Sequence, residues 1–174
     1  MYKIKGLGDL YKELNKFESE VELITKTSIN EIVDMMITDA KAKAPRDLGR
    51  LIDSIDKENK DNGWTIVFFV GEIHGAFQEF GTLGRVQVPP ELADVASSFK
   101  GYKSGNFEEF LTAIEEWCER KGIDAKAAYP IAISILNNGL KPQPYFHPAY
   151  VENKDKIIPL IDQKVKQWLT QTNR

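Results

Sequence analysis

The stretch Asp61-Asn62-Gly63-Trp64-Thr65-Ile66-Val67-Phe68-Phe69-Val70 decides the fold class of this chain. Asp-Asn-Gly favours the positive φ angles of a tight hairpin turn, and the β-branched and aromatic residues after it are typical of a strand. Both faces of this strand are apolar, so we expect both to be covered. The more polar residues 54–59 before the turn are predicted to form an edge strand that pairs with it.

A long helix is predicted before the hairpin, from a cap near Asp9 to Pro45, which ends it. A helix of about 35 residues would be about 50 Å long, more than a domain of this size can cover. We therefore expect either a break near residues 25–28 or a projecting part that packs on another subunit. Its first half repeats apolar residues in sevens, as helix-pairing seams do, and we call these residues the N-terminal seam: Leu7, Leu10, Leu14, Phe17, Val21 and Ile24.

Residues 84–141 are predicted to form an inserted loop and helical lobe within a single domain of residues 1–174. Residues 86–102 have the pattern of a loop. Asn106 and Glu109 form a capping box for an amphipathic helix that ends before Gly122. Asp124 is predicted to cap the next helix, which Pro130 kinks or delays and which stops at Gly139.

The last helix is predicted to begin at Pro148, after an extended approach rich in proline, and to run toward Trp168 with a bend at Pro159. The expected fold is therefore α+β. A small antiparallel sheet is packed by the long N-terminal helix and the C-terminal helix, and the helical insertion lies between the sheet and the last helix.

The composition excludes several classes of protein. The chain has 174 residues and a net charge of −3, with 23 basic and 26 acidic residues, which argues against a dedicated nucleic-acid binder. Cys118 is the only cysteine, so neither an intrachain disulfide nor a four-thiolate zinc site is possible. No apolar run has the length of a membrane span or a signal peptide, so we expect a soluble protein without a membrane partner that stays inside the cell that makes it.

The chain has few candidate catalytic residues. His74 and Glu79 could form an acid/base pair, but a spacing of five residues across a glycine is unspecific. His147 precedes a proline and is interpreted as a capping or turn residue, and Cys118 as a core residue. No glycine-rich phosphate loop is present. We therefore expect no enzyme, no metal and no cofactor, and an enzyme using His74 and Glu79 is the least favoured alternative.

Three segments carry more specific information: Ala-Lys-Ala-Pro-Arg-Asp-Leu-Gly-Arg-Leu at 42–51, Gly-Glu-Ile-His-Gly-Ala-Phe-Gln-Glu-Phe-Gly-Thr at 71–82, and Lys-Pro-Gln-Pro-Tyr-Phe-His-Pro-Ala-Tyr at 141–150. In this order they resemble the tail-completion, or head-to-tail joining, family of long-tailed bacteriophages. That family pattern is a helix, "AP.dtG.L..SI", a hairpin, "EfGT", and "P.pf..PA" before a closing helix. The resemblance covers about residues 10–170, although the central helix has no arginine or lysine where similar proteins often carry one: Ile133, Ser134, Asn137 and Asn138.

The resemblance implies a non-enzymatic virion protein at the neck, where it joins the tail to the DNA-filled head. It implies a homo-oligomer, expected to be a hexameric ring, with DNA only as passing content of its channel. The implied partners are connector or head-completion proteins and tail tube or tail-terminator proteins, and the implied places are the virion and, during assembly, the host cytoplasm. A small regulatory or nucleic-acid-associated phage protein is the alternative.

The motif residues are expected to have structural roles. Gly81 allows a turn with positive φ, Thr82 can satisfy a local N–H group, and Phe80 is expected to lie buried beneath that turn. Tyr145 and Phe146 are expected to anchor the approach to the last helix. The full set of motif positions is Pro45, Gly49, Leu51, Gly71, Glu79, Phe80, Gly81, Thr82, Pro144, Phe146 and Pro148.

Overall fold

The computed structural model describes residues 6–72, 74–98 and 106–172. Its helices are α1 (Leu7–Lys43), α2 (Arg50–Asp53), α3 (His74–Phe80), α4 (Ala93–Ser97), α5 (Phe107–Lys121), α6 (Ala128–Asn138), α7 (Phe146–Lys154) and α8 (Ile157–Thr172). The strands β1 (Ile55–Lys60) and β2 (Thr65–Val70) form a two-stranded sheet. The predicted α+β class is confirmed. No helix in these parts of the chain combines the length and apolar character of a membrane span.

The chain folds into two compact units. The first contains Met1–Asp39, Lys57–Phe69 and Pro148–Arg174, and the second contains Ala40–Asp56 and Val70–His147. The predicted single domain with a lobe at 84–141 stays a prediction.

In the first unit, α1, β2 and α8 share a core. Ile32, Val33 and Met36 of α1 are buried, and they pack against half-buried apolar side chains of α1 and of the other two elements: Ile29, Ile37, Ile66, Phe68, Ile157 and Leu160. The predicted packing of the hairpin by the N-terminal and C-terminal helices is confirmed. Because α8 carries its own apolar stripe, it can close over the same side chains that α1 presents.

The long helix α1 runs unbroken for 37 residues and ends just before Pro45, as predicted. No break occurs near residues 25–28. Thr25 and Ser28 there donate their hydroxyl hydrogens to the carbonyls of Val21 and Ile24, one turn earlier, and so do not compete with the helical backbone. Of the two alternatives that the length left open, the structure therefore shows the unbroken helix.

The hairpin turn is confirmed, since Asp61, Asn62 and Gly63 all have positive φ angles of 51°, 54° and 86°. The expected cover on both faces of β2 is wrong. Phe69 is exposed, and so is Trp64, just before the strand. Ile66 and Phe68 meet the core of the first unit, whereas on the opposite face Val67 is half-buried and Phe69 is exposed.

The closing helix differs from its prediction in two ways. It is two helices, α7 and α8, that meet at residues 155–156, rather than one helix bent at Pro159. Pro148 was predicted to be the first residue of the last helix, but it is the third residue of α7. Pro159 is likewise the third residue of α8. A first turn tolerates proline because its N–H groups have no partner within the helix, so Pro159 fits a new helix better than the middle of an old one.

The second unit contains α5 and α6, which pack against each other. The capping box of Asn106 and Glu109 is confirmed, and Gly122 ends α5 with φ 67°. Asp124 caps a single 3-10 turn, after which α6 begins at Ala128 and holds Pro130 in its first turn.

The predicted loop at 86–102 is wrong for part of its length. The structure has a 3-10 turn at Pro90–Leu92 that leads into the short helix α4. Residues 99–102 of that prediction lie outside the described residues.

Candidate functional site

The second and third motif segments meet at Glu79, a buried carboxylate at the end of α3. Its Oε2 atom accepts hydrogen bonds from the backbone N–H groups of Tyr145 and Phe146 at 2.8 and 2.9 Å, and its Oε1 atom accepts from that of His147 at 2.9 Å. These donors lie at the N-terminus of α7, where backbone N–H groups have no helical partner and the helix dipole favours negative charge. Glu79 is therefore a long-range N-terminal cap for α7.

Backbone hydrogen bonds extend this junction in both directions. The N–H of Gln143 donates to the carbonyl of Gln78 at 2.7 Å, and that of Thr82 to the carbonyl of Leu140 at 3.0 Å. The Thr82 hydroxyl accepts from the N–H of Leu140 at 2.7 Å, across 58 residues of sequence. The prediction that Thr82 satisfies a local N–H group is therefore wrong, because its donor is Leu140, just before the third motif segment.

Gly81 allows the two segments to approach this closely. Its φ of 75° confirms the predicted turn, and a Cβ atom there would lie 2.8 Å from the carbonyl oxygen of Leu140 and 2.9 Å from Pro142. Phe80 is buried next to it, as expected. Pro144 is exposed within the approach to α7.

Tyr145, not Phe146, is the buried anchor of the approach. Its side chain is 1% exposed, whereas Phe146 is half-buried and packs edge-on against it, with ring centroids 6.5 Å apart. Burial, with a smaller contribution from the Glu79 carboxylate, raises the pKa of Tyr145 far above its usual range. The phenol is therefore neutral in the folded protein at any ordinary pH.

Gly75 brings the first motif to the same place. A Cβ atom on Gly75 would lie 2.6 Å from the Tyr145 hydroxyl, 2.9 Å from Leu51 and 2.9 Å from Val70. Leu51 is buried, so all three motif segments contribute to one packed junction. The sequence alone singled out neither Gly75 nor Tyr145 as the tightest contact.

We expect Gly75→Ala to destabilise the protein by about 2 kcal/mol, because the added methyl group overpacks this junction. Gly84→Ala is the matched control, since a Cβ there meets nothing within 4 Å. Urea unfolding of both variants measures the difference. Equal stability of the two variants would show that the junction can widen without cost.

The first motif segment is tied to the C-terminal end of α5. Arg120 donates to both carboxylate oxygens of Asp47, at 3.1 and 2.7 Å, and the Lys121 ammonium group donates to the carbonyl of Arg46 at 2.9 Å. The hydrogen bond from Arg120, assisted by the charges of Arg120 and Lys121, holds the pKa of Asp47 below its usual value. Nothing in the sequence pairs Asp47 with Arg120, since 73 residues separate them.

The lowered pKa gives a pH-dependent prediction. Asp47→Asn should lower stability at pH 7, by less than about 1 kcal/mol because the pair is partly exposed. The ion pair stabilises the wild type above the unfolded-state pKa near 3.8, and this is lost as pH falls through the lower folded-state value. Melting curves of the two proteins should therefore converge as pH falls below the folded-state pKa of Asp47. Glu116→Gln, which removes a charge 3.7 Å from Arg120, is the control and should show little difference.

The remaining motif residues have local roles. Gly49 has a φ of 84° just before α2, and the N–H of Gly71 donates to the carbonyl of Ser54 at 2.9 Å. His74 pairs with Glu72 at 3.2 Å and His147 with Glu91 at 3.0 Å. Both oxygens of Glu79 are engaged by the backbone, so the structure does not assemble the acid/base pair of His74 and Glu79. Within the described residues, no group of three or more histidine, cysteine, aspartate or glutamate side chains could hold a metal ion.

The N-terminal seam lies on a stretch of α1 where every residue from Gly6 to Ser19 is exposed. Leu7, Leu10, Leu14 and Phe17 are 60%, 57%, 56% and 42% exposed, and Val21 and Ile24 are half-buried. Phe17 contacts Trp168 of α8, with ring centroids 5.5 Å apart. The first three leucines therefore form an apolar surface that is left open within the first unit.

Residues 8–81 match the model of the HK97-gp10-like family, described as "Bacteriophage HK97-gp10, putative tail-component". The match includes α1, the hairpin and α3, and thus the first motif segment and nearly all of the second. No curated protein and no solved structure matches the chain significantly. The match supports the resemblance to a phage tail or neck family.

Proposed function

We propose that this chain is a tail-completion, or head-to-tail joining, component at the neck of a long-tailed phage and acts by ring assembly. The family match supports a tail component over residues 8–81. Beyond that range, hydrogen bonds to Glu79 connect the matched region to the third motif segment, residues 141–150, which the resembled phage family is expected to carry. The second and third motif segments are therefore joined by hydrogen bonds within the second unit.

The exposed N-terminal seam carries the ring proposal. A row of leucines exposed to water is unfavourable. Its burial by a neighbour would stabilise the contact by about 25 cal/mol per Å² of apolar surface. A neck component surrounds a channel, so each subunit must offer one surface and accept another, in a heterologous contact that closes. Six subunits is the expectation that the family resemblance implies.

The partners we propose are the connector or head-completion proteins on one side and the tail tube or tail-terminator proteins on the other. The net charge of −3 suits a protein that DNA passes without being held. Assembly would take place in the host cytoplasm, and the protein would stay at the neck of the virion.

Electron microscopy of particles assembled without this protein tests the proposal. We expect separate DNA-filled heads and finished tails, and restored virions when the protein is supplied from a plasmid. Normal virions in its absence would remove the joining role, and heads without DNA would place the protein at an earlier step.

A further inference from the structure

The charges beside the N-terminal seam have one sign. In the heptad that puts Leu7, Leu14 and Val21 in one row, the flanking charged residues are Glu13, Glu18 and Glu20, all acidic. Lys12 and Lys16 fall at positions away from the seam. The seam is therefore an apolar row with an acidic border.

Such a border disfavours pairing of the seam with its own copy. In a parallel pair, Glu13 of one helix would face Glu18 of the other, and in an antiparallel pair glutamates would again face glutamates. Like charges at these positions are destabilising. A stable contact needs an apolar surface with a basic border.

The described part of the chain offers such a surface around Leu48, where the loop before α2 meets the first residue of α2 and the end of α5. Leu48 is 56% exposed, and two residues away on either side lie Arg46 and Arg50, which are also exposed. The ammonium group of Lys121 lies 2.9 Å from the carbonyl of Arg46 and adds positive charge. Asp47, the acid within this loop, is already paired with Arg120. We call Arg46, Leu48, Arg50 and Lys121 the Leu48 surface.

We propose that the N-terminal seam of one copy binds the Leu48 surface of a second copy. Leucine side chains of the seam would meet Leu48, and the glutamates of its border would meet the two arginines. The contact is heterologous, since the two surfaces differ, and it can therefore repeat around a ring. This inference rests on the proposed self-association and names the two surfaces that make it.

Disulfide trapping between singly substituted chains tests the contact. Glu13→Cys in a tagged chain is mixed with Arg50→Cys in an untagged chain, at about millimolar concentration and low salt, with copper phenanthroline as oxidant. Cys118 is buried and does not compete. Lys12→Cys is the matched control, because it lies next to Glu13 but away from the seam.

We expect mixed dimers in several-fold excess over dimers of either variant with itself, and only background yield with the Lys12→Cys control. Predominant Glu13→Cys homodimers would show that the seam pairs with itself, and a background yield of mixed dimers would show that the two surfaces do not meet. Either result overturns this inference. The joining role would still be decided separately by the particles assembled without the protein.

Charge reversal provides a second test. Glu13→Lys with Glu18→Lys, and separately Arg46→Glu with Arg50→Glu, should each weaken self-association in sedimentation velocity about tenfold, and their combination should restore it. Failure of the combination to restore association would overturn the pairing. Nucleic acid is the alternative occupant of the Leu48 surface. The proposal would be overturned if the protein bound a DNA duplex and if Arg46→Glu with Arg50→Glu abolished this binding but left self-association unchanged.

Discussion

Glu79→Ala should destabilise the second unit by about 4 kcal/mol, a large share of the roughly 5–15 kcal/mol that holds a domain together. The change removes the acceptor of three backbone N–H groups, of which that of Tyr145 belongs to a buried residue. An unsatisfied buried N–H group costs about 1–3 kcal/mol, and the start of α7 also loses a favourable negative charge. Urea unfolding followed by circular dichroism measures the loss.

Two variants separate the cap from a general effect of losing a glutamate. Glu79→Gln keeps one acceptor oxygen and should lose about half as much stability. Glu72→Ala removes a neighbouring glutamate, whose described partner is the exposed imidazole of His74, and should cost less than about 1 kcal/mol. If Glu79→Ala were as stable as Glu72→Ala, water would be replacing the carboxylate and the cap would be dispensable.

The role of Glu79 shows which features of this chain its sequence could predict. The hairpin turn at 61–63, the capping box at Asn106 and the glycine end of α5 were predicted correctly, because each depends on residues within one turn of one another. The partners of Glu79 are 66 to 68 residues away in sequence. A motif resemblance marked this position, but no periodicity or spacing could show what the carboxylate binds.

The wrong predictions have a related cause. Cover on both faces of β2 depends on how many layers surround the strand, and alternation of residue types does not report that number. The choice of Tyr145 over Phe146 as the buried anchor depends on the space left by Gly75, which lies 70 residues earlier in sequence. For α1, the length of the helix allowed either a break near residues 25–28 or an unbroken helix with an exposed part. Length alone could not decide between the two.

Replacing Leu10 and Leu14 with glutamate should reduce incorporation of the protein into particles about a hundredfold. Each exposed leucine can contribute about 1.5 kcal/mol or more when a neighbour buries it, and about 3 kcal/mol corresponds to roughly a hundredfold in affinity. Both side chains are more than half exposed, so the fold should remain stable. Quantitative immunoblots of purified particles measure incorporation, and melting curves of the free protein report the fold.

Leu23→Glu is the control for this pair, because Leu23 lies on the same helix, is 58% exposed and falls outside the heptad rows of the seam. A surface that binds through the seam should tolerate a charge at Leu23 and reject one at Leu10 or Leu14. If all three substitutions reduced incorporation equally, the contact would extend around the helix. If the double variant were incorporated as well as the wild type, the seam would lie outside every contact of the particle, and the proposed ring would have to use another surface.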